Sequence, residues 1–205
     1  MTWQHPFPKE TITDRFGDTE PPRTSPHRGT DYAPGAKKLI PAVTDGKITK
    51  IKFSNILGWF VEYQTDEHGL FVGNAHLYCN KHDSIDCDGT DHAPGETCMS
   101  QLKVGDRVKR GDWVGRVGNS GASRGAHLHI SISKKPDMRF AKVFDIEKFI
   151  DQKIKKQKKK AKKQEKEKNA IRNEKRQRPQ KIKATESPQT DEQCEPRVIA
   201  PEKTK

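Results

Sequence analysis

The chain has 205 residues, enough for one domain and a tail, and 40 Lys/Arg against 28 Asp/Glu give it a net charge of +12. Residues 1–150 hold 21 Lys/Arg against 19 Asp/Glu, whereas residues 151–205 hold 19 against 9. The balanced part therefore reads as the folded domain and the basic excess as an extension. No apolar run approaches the roughly 20 residues that a membrane-crossing helix needs, which excludes such a helix.

The start, Met1-Thr2-Trp3-Gln4-His5-Pro6-Phe7-Pro8, has neither the basic stretch nor the apolar run of a secretory signal, so none is expected. A first strand follows an irregular lead-in, and Glu20-Pro21-Pro22-Arg23-Thr24-Ser25 forms a polar loop that delivers His27. Between Ser25 and Pro34, the residues Pro26, Gly29 and Pro34 argue against a helix. In an extended segment His27, Gly29 and Asp31 line one face, with space left at Gly29. One carboxylate with imidazoles and an open position is what a catalytic zinc site requires.

Leu39–Val43 and Lys47–Phe53 flank a turn at Thr44-Asp45-Gly46, which predicts a hairpin, although the apolar alternation in the second segment is only partly clean. Trp59–Thr65 and Leu70–His76 predict two further strands around the His68-Gly69 turn. Short strands about ten residues apart predict a mainly β, antiparallel domain. Residues 79–100 interrupt this pattern with Cys79, Cys87, Cys98, His82, His92 and several aspartates. A loop so poor in apolar residues needs something to order it. A disulfide, a second structural metal and a calcium site at Asp86–Asp91 all remain open.

Gly118–Ser123 is a turn-rich stretch running into Ala126-His127-Leu128-His129-Ile130. On a strand His127 and His129 share one face, roughly 6–7 Å apart. One imidazole can then hold a metal while the other reaches a molecule bound to it. From Phe144 the character changes. Ile146, Phe149 and Ile150 suit the start of a helix, and residues 151–183 then carry 16 basic against 4 acidic residues with no aromatic residue among them. The expected domains are 1–143, a Lys-rich segment at 144–183 and a disordered tail at 184–205.

His27-Arg28-Gly29-Thr30-Asp31 combined with His127-Leu128-His129 resembles the lysostaphin/LytM-type zinc endopeptidases, which cut peptide cross-links in bacterial cell walls. Ile12–Gly17 is similar to the family's opening strand and turn, Asn74-Ala75-His76-Leu77 to its Tyr-Ala-His-Leu segment, and Val104–Gly115 to the hairpin before its glycine-rich loop. The resemblance covers roughly residues 5–135 and implies a groove-bearing antiparallel sheet with Zn2+ on its floor. It implies His27, Asp31 and His129 as metal ligands, His127 as general base and His76 as the residue steadying the tetrahedral oxyanion. Ser131 departs from it, standing where the family usually has glutamate.

The expected function is metal-assisted hydrolysis of peptidoglycan cross-links, and activity is expected to fall below about pH 6 as histidines take up protons. The alternative is a non-catalytic wall-binding or activating module on the same fold. The basic segment suits anionic wall polymers or a membrane surface better than nucleic acid, which is not an expected partner. A wall-cutting enzyme without an export signal is expected to be phage-encoded, made in the host cytoplasm and released at lysis or carried in a virion.

Overall fold

The computed structural model describes residues 2–21, 23–79, 84 and 102–177. Its main feature is an eight-stranded antiparallel sheet. The strands are β1 (Ile12–Asp14), β2 (Thr30–Tyr32), β4 (Gly46–Ser54), β5 (Gly58–Thr65), β6 (Phe71–Leu77), β7 (Arg107–Val108), β9 (Leu128–Ser133) and β10 (Val143–Phe144). They run in the order β1-β2-β9-β6-β5-β4-β7, with β10 added to β9. A second sheet pairs β3 (Leu39–Pro41) with β8 (Trp113–Arg116).

Strand alternation gives the main sheet two faces. Leu128, Ile130 and Ile132 of β9 enter the main core with Tyr32, Val61, Tyr63 and Val72, and β3 and β8 add Ile40 and Val114. His129, Ser131 and Ser133 take the opposite face. A smaller apolar cluster there joins Leu57, Phe60, Ala75 and Met138. The untidy alternation of the β4 sequence has a physical cause. Ile48 pairs with Tyr63 and Lys50 with Glu62, so Thr49 is an extra residue at a β-bulge. Beyond the bulge the phase shifts, and Ile48 and Ile51 both reach the core although they lie three apart.

The helix α1 (Ile146–Gln177) begins as part of this core. Ile146 and Ile150 are buried within it, and Phe149 and Ile154 pack against it. Phe149 meets Trp3 edge-on with ring centroids 4.8 Å apart. The polar side of the same turns is tied down as well. Asp151 bonds His5 at 3.0 Å, and Lys153 donates to Glu67 at 2.6 Å, whose other oxygen accepts the Trp3 indole N–H at 2.7 Å. The first turns of α1 thus belong to the same compact unit as the sheet. From Lys158 to Asn173 the helix side chains are exposed all round, because the sequence supplies charges in place of an apolar stripe.

Deleting the Ile150 side chain as Ile150→Ala should cost about 2–4 kcal/mol, the usual loss for a large aliphatic residue cut back in a packed core. Lys158→Ala should change stability by less than about 0.5 kcal/mol. Urea unfolding followed by tryptophan fluorescence checks both.

Candidate metal centre

The floor of the site is a consequence of strand register. β2 and β9 place Asp31 directly opposite His129, and β6 places Ala75 on the other side of His129. His129 Nδ1 lies 2.8 Å from Asp31 Oδ1. His27 enters from the preceding loop, held by its backbone N–H on the Asp18 carbonyl at 2.9 Å and by its own carbonyl on the Gly17 N–H at 2.8 Å. Its Nδ1–H donates to the Arg15 carbonyl at 3.0 Å. That partner leaves Nε2 with a bare lone pair, and this atom lies 3.0 Å from His129 Nδ1 and 3.2 Å from Asp31 Oδ1. Gly29 makes the approach feasible, since a Cβ there would sit 2.5 Å from the Ile130 carbonyl oxygen and 2.6 Å from His129 Cε1.

These three residues are the metal-competent group among the described residues. Zinc bonds of about 2.0–2.1 Å in a tetrahedral arrangement place neighbouring donors about 3.3 Å apart. A triangle with sides of 2.8, 3.0 and 3.2 Å is close to that size. Two imidazole nitrogens and a carboxylate oxygen are also a donor set that zinc accepts. The residues therefore fit the ion. Burial opposes ionisation of Asp31, but the hydrogen bonds and charges of His129 and His27 outweigh it and hold the carboxyl well below the ordinary range. Burial pushes the His129 imidazole down, with Asp31 offsetting only part of the shift. The group is thus biased toward a carboxylate and a neutral imidazole, the forms that ligate.

Two more imidazoles stand beside this floor. His127 precedes β9, where it bridges to Gly118, and its Nδ1–H donates to the Gly125 carbonyl at 2.8 Å. Its Nε2 is therefore bare and lies 3.7 Å from Asp31 Oδ2. His76 reaches the site through a bulge in β6. Trp59 pairs with Leu77 and Val61 with Asn74, so Ala75 and His76 together face one residue of β5. His76 takes φ +58°, a conformation uncommon for a non-glycine residue, and the bulge turns its ring to within 4.7 Å of the His127 ring centroid. Its Nδ1–H donates to the Ser120 carbonyl at 2.8 Å. Ser120 is fixed in turn, with Oγ donating to the Leu77 carbonyl at 2.8 Å and accepting the Trp59 N–H at 3.0 Å.

All five predicted site residues thus meet in one groove of about 980 Å³, whose walls include Arg23, Leu57, Arg124, Met138 and Arg139. Sequence reasoning missed Ser120 as the His76 anchor and the backbone carbonyls of Arg15 and Gly125 as tautomer-setting partners. Only the small residues of Gly118–Gly125 signalled a chain path that tight. Ser131, the departure from the family pattern, is buried beside Gly73, and the carboxylate on that row of the sheet comes from Glu62 of β5. Within the cysteine loop, Cys79 is buried and exchanges backbone hydrogen bonds with Ser84. Cys87, Cys98 and the disulfide, zinc and calcium readings lie outside the described residues. No helix among the described residues is long and apolar enough to cross a membrane.

Residues 95–140 match Peptidase family M23. The matched stretch contains His127 and His129, while His27, Asp31 and His76 precede it. The chain is 27% identical over 103 residues to peptidoglycan DD-endopeptidase ShyC of Vibrio cholerae, an alignment covering 50% of this chain and 19% of that one. It spans about a quarter or less of the length of the curated relatives it matches. Among solved structures, LytU is 29% identical with a TM-score of 0.54, covering 74% of this chain and 91% of its own. The catalytic domain of lysostaphin from Staphylococcus simulans shares the fold, with 20% identity, a TM-score of 0.51 and coverage of 68% and 90%. The family match is confined to residues 95–140, and the structural matches extend the likeness in fold over about 70% of the chain.

Gly29→Ala should weaken zinc binding by roughly tenfold or more, because the added methyl must displace His129 or the β9 backbone. Competition with a chromophoric chelator measures this. A second expectation concerns acid. Burial first, and then the charge of His127, push the His76 imidazole down to about 4, with Ser120 and Asp31 restoring only part. An unfolded histidine takes its proton near 6.5. Between those values the unfolded chain binds more protons, so chelator-treated protein should lose up to about 3 kcal/mol of stability as pH falls from 6.5 to 4. His76→Asn, with a residue that tolerates positive φ, should flatten that slope in urea unfolding across the same pH range.

Proposed function

We propose that the protein is a zinc-dependent endopeptidase that hydrolyses peptide cross-links of bacterial peptidoglycan. The observation that carries this reading is the meeting of His27 Nε2, Asp31 Oδ1 and His129 Nδ1 within 3.2 Å of one another, directly beside two imidazoles whose Nε2 atoms are bare. The family M23 match and the named activity of the Vibrio cholerae relative support the substrate class.

His27, Asp31 and His129 would hold the ion. Zinc in such a site supplies a water of pKa near 7 and polarises a carbonyl. His127 is the base: its Nδ1–H is spent on Gly125, and its Nε2 lone pair faces the carboxylate that marks the floor. His76 needs a refinement of the expected role. With Nδ1–H on the Ser120 carbonyl, the neutral ring is an acceptor at Nε2 and cannot donate to an oxyanion. The pair of rings gains a donor only when it takes the proton from water. The resulting imidazolium can then stabilise the oxyanion or protonate the leaving amine, and the 4.7 Å ring separation leaves either imidazole within reach of that proton. His76 and His127 act here as one proton-holding unit. The exposed basic stretch of α1 would serve as a tether to anionic wall polymers, through salt-sensitive attraction.

His127→Ala should keep its zinc and lower kcat on purified peptidoglycan by about 10²–10⁴, whereas Asp31→Ala and His129→Ala should lose the metal. Turbidity clearance with metal analysis of each variant is the check. A zinc-loaded His127→Ala protein that clears walls as fast as the parent would remove the base assignment.

A further inference from the structure

Glu62 is a fully buried carboxylate on the groove face of the sheet that no step above uses. Its Oε2 accepts the backbone N–H groups of Asp137 at 2.7 Å and Met138 at 3.1 Å. Asp137 itself holds φ +70° and receives Lys50 Nζ at 3.1 Å. These bonds pin a strap, residues 134–141, that leaves β9 and folds back over the sheet. Met138 seats on Gly73, where a Cβ would lie 2.3 Å from its Sδ, and packs with Leu57, Phe60 and Ala75. Ala75 is the register partner of His129. At its far end the strap is gripped by Arg28, from within the His27–Asp31 segment, whose guanidinium donates to the Arg139 carbonyl at 2.9 Å and the Ala141 carbonyl at 2.5 Å. Met138 and Arg139 form part of the groove wall. One wall of the groove is thus latched to the sheet by Glu62 and to the ligand-bearing segment by Arg28.

We propose that Glu62 is a positioning residue for peptide hydrolysis: by holding residues 137–139 it keeps the strap as a fixed wall beside the Ala75–His129 row. The wall sets how firmly the peptide lies across the site, not how fast its bond breaks. This inference rests on the hydrolase reading. It also explains how the chain accommodates Ser131. The carboxylate comes from β5, where it faces the strap, and Gly73 between them leaves the depression that Met138 fills.

The test exploits the fact that both strap N–H groups converge on one oxygen. Glu62→Gln retains a carbonyl able to accept both bonds. Glu62→Met keeps the volume, accepts neither and strands one buried and one half-buried donor. With soluble cross-linked muropeptides as substrate, Glu62→Met should raise KM about tenfold with kcat within about twofold and zinc content unchanged, and Glu62→Gln should match the parent within about twofold in both. Unchanged KM in Glu62→Met, or a fall in kcat at constant KM, overturns the proposal. If Glu62→Met does not fold, Lys50→Met decides, since it loosens Asp137 alone: a KM rise of about threefold supports the latch and an unchanged KM overturns it. Should the parent cleave no peptidoglycan, the hydrolase reading fails separately. Amide exchange at 137 and 138 then judges the latch, with faster exchange in either Met variant supporting it and parental rates overturning it.

Discussion

The antiparallel register between β2 and β9 is the constraint on which the site depends. It sets Asp31 against His129 and, through the next pairing, Ala75 beside them. A slip of one residue would send His129 into the apolar core and Ile130 onto the groove floor. Leu128, Ile130 and Ile132 are fully buried on the other face, so burial of aliphatic side chains enforces the register that the ligands need. The His27, Asp31 and His129 group is therefore assembled by hydrophobic packing it does not touch. Gly29 belongs to the same constraint, because the chain entering β2 must pass against the His129 ring.

Around that floor the structure accepts local cost. His76 occupies a backbone region that a histidine seldom adopts, and its ring is buried where a proton is disfavoured. Such conformations cost on the order of 1–3 kcal/mol and persist only when their surroundings over-determine them. Here the surroundings are identifiable: the His76 N–H on the Leu57 carbonyl, the Gly118 N–H on the His76 carbonyl and the imidazole on Ser120. The large core on the opposite face, completed by Trp3 and the first turns of α1, carries the stability that the groove face gives up.

Much of this was legible in the residues themselves. β-branched content and the Asp-Gly turn pointed to the strand around 47–53, alternation to the one at 128–133, and the two histidine motifs to side chains that meet on the groove floor. Resemblance to a family added the expectation that His127 and His76 join them there, and both line the groove. What was not legible depends on interactions remote in sequence. The bulge that aims His76 exists because Ala75 and His76 share one residue on β5, a fact of pairing with no local signature. Ser120 and Gly125 act through backbone carbonyls, which every residue has. Glu62 is buried by a strap about 75 residues further along the chain, which nothing in its own stretch of sequence announces. The start of α1 was visible in Ile146, Phe149 and Ile150, but its partner, Trp3, lies at the other extreme of the domain.

That last contact has a bearing on biosynthesis. Trp3 and Phe149 close the core edge-on across nearly the whole compact unit, and β2 finds β9 only after about a hundred intervening residues have been made. Contacts of such sequence separation form late and slow the search for the native topology. A nascent chain leaving the ribosome therefore carries His27 and Asp31 well before either has its partner histidine. The groove comes into being only after β9 has emerged, so until then a growing polypeptide holds His27 and Asp31 with no β9 beside them.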